Sequence, residues 1–148
     1  MLFGNDRDQL RRTYVQAWRK YREQLPLEPL EAQIADVIRD HPEYHAFFEH
    51  EQSALGREFP PELGETNPYM HLGLHLGLRD QIATRRPPGI DTIYRELAQA
   101  LGSGLEAEHR MMDCLAEGLY QAQRYGREPD EGAYMQCLRQ LQRRFVKG

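Results

Sequence analysis

The stretch NPYMHLGLHLGLRDQIAT, residues 67–84, reads as one helix with two histidines near its apolar face. Thr66 and Asn67 offer capping oxygens, and Pro68 has the fixed φ and the missing N–H that suit a first turn. RRPPG, residues 85–89, then ends it. At about 100° per residue, His71 falls between Leu74, Leu78 and Ile82, in the middle of the apolar stripe, with His75 beside it. The spacing therefore predicts a helix over Pro68–Thr84 and a buried His71.

Helical spacing continues on both sides. Leu10, Tyr14, Ala17, Trp18 and Tyr21 share one face of a first helix over residues 7–24, preceded by the capping candidates Asn5 and Asp6 and stopped by Pro26. Leu30, Ile34, Val37 and Ile38 stripe a second helix that ends near Arg39, with Pro29 in its first turn. Pro42 disfavours helical backbone at His41, so the chain should bend there before a short helix over residues 43–51. Residues 52–66, rich in Gly, paired Pro and acids, read as a long loop. Beyond residue 89, helices are expected over Ile90–Leu101 with Gly102 as its stop, over residues 105–124 closed by Gly126, and over Glu131–Phe145 capped by Asp130. No alternating strand pattern and no repeat appears. The expected fold is all-α, an antiparallel helical bundle with additional short helices, forming one domain over residues 1–148.

Composition agrees with a folded globular chain. Its 148 residues are 40% hydrophobic and 28% charged, and nowhere do 18 apolar residues run together, so no membrane span is expected. The opening MLFGNDRDQL carries acids and an arginine where a secretory signal needs an apolar run, which points to the cytoplasm. Cys114 and Cys137 lie far apart without a CxxC, so they are expected to be reduced thiols rather than a disulfide or a thiolate metal site. A net charge of -4 argues against nucleic acid as a partner. The charge is uneven: residues 28–66 are acidic, while residues 133–148 carry Arg139, Arg143, Arg144 and Lys147 and no acid.

The six histidines are spaced unusually. His41 and His45, His45 and Glu49, His71 and His75, and His109 and Asp113 are each four apart, the interval that stacks side chains on one helical face. Acids and histidines fill about one position in five, so about 1.2 such partners are expected by chance for six histidines. In the helix over residues 105–124, His109 falls with Leu105, Met112, Ala116 and Leu119 on the face read as inward, with Asp113 and Glu117 along its edge. His45 and Glu49 sit beside Phe48, and His50 turns away. Burying several imidazoles and carboxylates together costs several kcal/mol unless each is hydrogen-bonded, paired or bound to metal. Nitrogen and oxygen donors without thiolate suit iron, manganese or zinc.

HPEYH at residues 41–45, NPYMHLGLHL at 67–76, RRPPGI at 85–90 and HRMMDCLAE at 109–117 carry a likeness over almost the whole chain. By these strings the sequence resembles a small bacterial family whose function is catalogued as unknown, and the resemblance implies no activity. At motif level it is also similar to hemerythrin-type and DinB-type metal-binding bundles. That similarity maps their HxxxE onto His45 and Glu49, their HxxxH onto His71 and His75, and their closing pair onto His109 and Asp113. The first helix lacks a histidine, the closing pair is HxxxD rather than HxxxxD, and the intervals are longer. These departures favour a mononuclear over a di-iron centre.

The leading functional expectation is a metal-binding helical bundle with His71, His75 and His109 as central ligands. His45, Glu49 and Asp113 would complete or orient the site, and a divalent transition metal would serve Lewis-acid chemistry or bind a small molecule. Glu49 or Glu117 would be placed to accept a proton. The alternative is a non-enzymatic structural or interaction module whose histidines form a metal-free hydrogen-bonded core. Its basic C-terminal helix would meet a protein partner or a second copy. A third reading is a hydrolase using His109 with Asp113 as base and orienter, for which no nucleophile is evident.

Overall fold

The first two long helices form because their apolar residues fall three and four apart. α1 (Leu2–Arg22) buries Tyr14, Val15, Ala17 and Trp18, and α2 (Pro29–Arg39) packs on it with Ile34, Ala35, Val37 and Ile38. The computed structural model of the chain describes the backbone of residues 2–60 and 66–147, and side chains from residue 6 onward within them. α1 starts earlier than its spacing suggests, so Asn5 and Asp6 lie inside the helix rather than before it. Its outer positions Leu10 and Tyr21 are exposed. Arg19, Lys20 and Arg22 place positive charge in its last turn, where the helix dipole favours it. The chain leaves α1 through Gln24 at φ 59°. Glu28 and Glu31 close a reciprocal capping box at the start of α2.

A 3-10 turn (Pro42–Tyr44) leads into α3 (His45–Glu49), and α4 (Glu51–Gly56) follows. The helix expected over residues 43–51 is thus split. α4 also corrects the long loop expected from residue 52. Its apolar signal is weak because tertiary bonds hold it: Tyr69 donates to the Ala54 carbonyl at 2.8 Å, and Arg11 donates to the Leu55 and Arg57 carbonyls at its C-terminal end. Residues 57–60 are irregular, and the part of the expected loop at residues 61–65 lies outside the described residues.

α5 (Pro68–Thr84), α6 (Ile90–Leu101), α7 (Gly104–Arg124) and α8 (Glu131–Phe145) fall where the spacing predicts. Asn67 accepts from the Tyr69 backbone N–H, and Gly102 closes α6 at φ 71°. Ser103 caps α7, and Asp130 caps α8. The fold is all-α, and the described residues contain no strand. By backbone contacts the chain divides into two compact units, Met1–Gly73 and Leu74–Gly148, the division falling inside α5. The first buries Phe48, Ala54, Tyr69 and Leu72, with Tyr14 of α1 against Phe48 and Tyr69. In the second, α6, α7 and α8 pack mutually around Leu78, Ile93, Leu97, Met111 and Leu138. No helix among the described residues is long and apolar enough to cross a membrane.

Cys114 on α7 and Cys137 on α8 form a disulfide, correcting the expectation of two reduced thiols. Distance along the chain, 23 residues, hides their adjacency, because the packing of α7 on α8 brings the two Cα atoms within 5.8 Å.

Candidate metal centre

His41 occupies the corner where α2 gives way to the 3-10 turn. The following proline excludes helical backbone, and His41 takes φ -126° and ψ 74°. Its Nδ1 lies 2.6 Å from the Val37 carbonyl and its Nε2 lies 3.1 Å from Nε2 of His71. A carbonyl can only accept, so Nδ1 carries the proton and Nε2 of the neutral ring carries the lone pair. Tyr44 stacks on His41 with centroids 5.7 Å apart and meets His71 edge-on. His41 is buried and His71 half-buried, so full burial of His71 is a further expectation corrected. The buried stripe of α5 runs through Leu72, His75 and Leu78, turned from the centre that Leu74 and Ile82 suggest.

His75 is fully buried, and its Nε2 donates to Oε1 of Glu108 at 2.7 Å. Arg79 donates to the same oxygen at 3.2 Å. Burial opposes the charge on Glu108, yet the hydrogen bond from His75 and the nearby Arg79 cation hold its carboxyl below the usual carboxylate range. Glu108 is therefore an acceptor, which puts a proton on Nε2 of His75 and leaves the lone pair of the neutral ring on Nδ1. His109 meets the His75 ring edge-on, centroids 5.1 Å apart.

His71 and His75 stand one turn apart on α5. One ring nitrogen from each of His41, His71, His75 and His109 falls in a group whose members all lie within 4.8 Å of one another. A transition metal holds imidazole nitrogens at about 2.0–2.1 Å, which separates neighbouring nitrogens by roughly 2.9 Å at a right angle and roughly 3.3 Å in a tetrahedron. The 3.1 Å between His41 and His71 falls in that window. The donor set is all nitrogen: both cysteines are in the disulfide, and no carboxylate belongs to the group.

Of the residues singled out by spacing, His71, His75 and His109 are brought together, and His41 joins them. The other three stand outside this group. His45 donates through Nε2 to the Ile38 carbonyl at 2.9 Å and lies against Trp18. Glu49 is exposed and accepts from the Trp18 indole at 3.4 Å. Asp113 and Glu117 are exposed on α7, while Glu108 is buried. Spacing missed Glu108 because its partner is 33 residues away. The only local signal was its place immediately before His109.

A family described as "Domain of unknown function (DUF1841)" matches residues 6–140. The chain belongs to the DUF1841 family. No curated protein and no solved structure matches it. Membership in DUF1841 thus brings no activity with it, and the chemistry of this DUF1841 chain has to be argued from its own residues.

Proposed function

We propose that the protein binds a divalent transition metal through His41, His71, His75 and His109. The observation that carries this is the way the two fully buried imidazoles are held. His41 gives its N–H to the Val37 carbonyl and His75 gives its N–H to Glu108, so each ring is fixed in orientation with a lone pair on its other nitrogen. Such outer partners orient and strengthen histidine ligands in metal centres. An all-imidazole set suits zinc or ferrous iron better than manganese, which prefers oxygen. His71 and His109 are half-buried, so a water or small ligand has a route to the metal. The role is Lewis-acid chemistry or small-ligand binding. His45 and Glu49 serve α1 and α3 through Trp18, and Asp113 is solvated. We further take residues 1–148 as one domain, since α5 runs unbroken through the division, and place the protein in the cytoplasm without a nucleic-acid partner.

Elemental analysis of protein purified in air tests the proposal. About one metal per chain is expected, with most of it lost in His71→Ala and kept in His50→Ala, whose exposed ring bonds the Ala46 carbonyl of α3. Less than about 0.1 metal per chain, unrestored by added zinc or iron, would leave the metal-free hydrogen-bonded core as the reading.

A further inference from the structure

The Cys114–Cys137 disulfide does not sit sealed in the core. Cys114 is 3% exposed and Cys137 is half-buried, and together they wall a cavity of about 100 Å³. The cavity is left open by the small residues Gly118, Ala122 and Ala133, with Arg127 and Asp130 beside it. A Cβ built at Gly118 would meet nothing within 4 Å. A hole of this size admits a thiol-bearing side chain, whereas a sealed disulfide can be reached only when the protein unfolds.

α8 is held by more than the disulfide. α8 buries Tyr134, Met135 and Leu138 in the same core as Ile93, Leu97 and Met111 from α6 and α7. Tyr134 also donates to Gln81 at 2.6 Å. Breaking the sulfur bond removes one tie between α7 and α8 and leaves this packing in place.

We propose that Cys114–Cys137 is a reversible redox site, reduced in the native state by a dithiol reductant entering the cavity. The reductant's thiolate attacks Sγ of Cys137, the more exposed of the two residues. A bond forms between them as the S–S bond breaks, and Cys114 leaves as a thiolate that takes a proton from water. The reductant's second thiol, having lost its proton to water, attacks its own sulfur in the mixed disulfide and releases the Cys137 thiolate, which is then protonated. Two electrons pass from reductant to protein, and a dithiol is exchanged for a disulfide. In the reducing cytoplasm such a bond is a switch rather than a permanent staple. What it switches is the freedom of α8 relative to α7, the helix that also carries Glu108 and His109.

The test is dithiothreitol reduction of the folded full-length protein, followed by alkylation and mass measurement. Without reductant, neither cysteine should be alkylated. With it, both should be, at a rate unchanged by urea below the unfolding transition. Gly118→Leu, which fills the cavity, should slow that rate at least tenfold. The reduced protein should unfold cooperatively with a midpoint lower by on the order of 10 °C, and amide exchange should quicken over residues 131–145. The proposal is overturned if the cysteines alkylate without reductant, if reduction accelerates with urea in step with unfolding, or if the reduced chain loses its fold.

Discussion

A single carboxylate does more at this site than its position in the sequence suggests. Glu108 accepts from His75 and Arg79, which fixes the tautomer of a buried imidazole. Glu108→Gln keeps the size and an acceptor oxygen but removes the charge that organises the pair. It should lower metal affinity about 10- to 100-fold with little loss of fold, checked by competition with a chromophoric chelator. An unchanged affinity would make Glu108 a packing residue and no support to the site. His41 was legible as a corner and as half of a four-apart pair with His45, because HPEYH states where the backbone must bend and which residues are near in sequence but not what the ring will meet. His71, His75 and His109 were legible as inward-tending imidazoles, while the partners that orient the buried ones come from the carbonyl of Val37 and a side chain on another helix.

At the scale of elements, most helices could be read from punctuation and period, and the errors have one source. α7 was placed within a residue, yet of its predicted inward face Leu105 and Leu119 are exposed while Met112 is buried. The helix buries Ala107, Met111 and Cys114 where it packs on α6 and α8, since small and flexible side chains allow close approach there, and turns Glu108 to His75 and Arg79 of α5. That rotation sends Asp113 to solvent and brings Glu108 in. α4 was missed because its carbonyl ends are satisfied by Arg11, 44 to 46 residues earlier. Caps, by contrast, are local. Ser103 accepts from the Glu106 N–H at 3.1 Å, so Ser103→Ala should cost about 1 kcal/mol, seen as a lower urea midpoint at unchanged m value.

Over the whole molecule, burial sets the behaviour in alkali. Burial pushes the phenols of Tyr14 and Tyr69 in the first unit and Tyr134 in the second up to about 12. The folded state holds protons that the unfolded chain loses near pH 10, so this contribution is complete below about pH 10 and is lost as pH rises towards 12. An ultraviolet titration should show these three phenols ionising late and together with loss of helix. Ionisation of all three near pH 10 in the intact fold would contradict the packing.

The amino-acid sequence alone determined the all-α class, the bounds of α2 and of α5 to α8 and the unusual density of imidazoles, because hydrophobic period, caps and prolines act within a few residues. Only the tertiary structure decided that His41 meets His71, that Glu108 rather than Asp113 is buried against a histidine, and that Cys114 finds Cys137. Those outcomes depend on which face of each helix the core accepts, and that is settled by packing among residues dozens of positions apart.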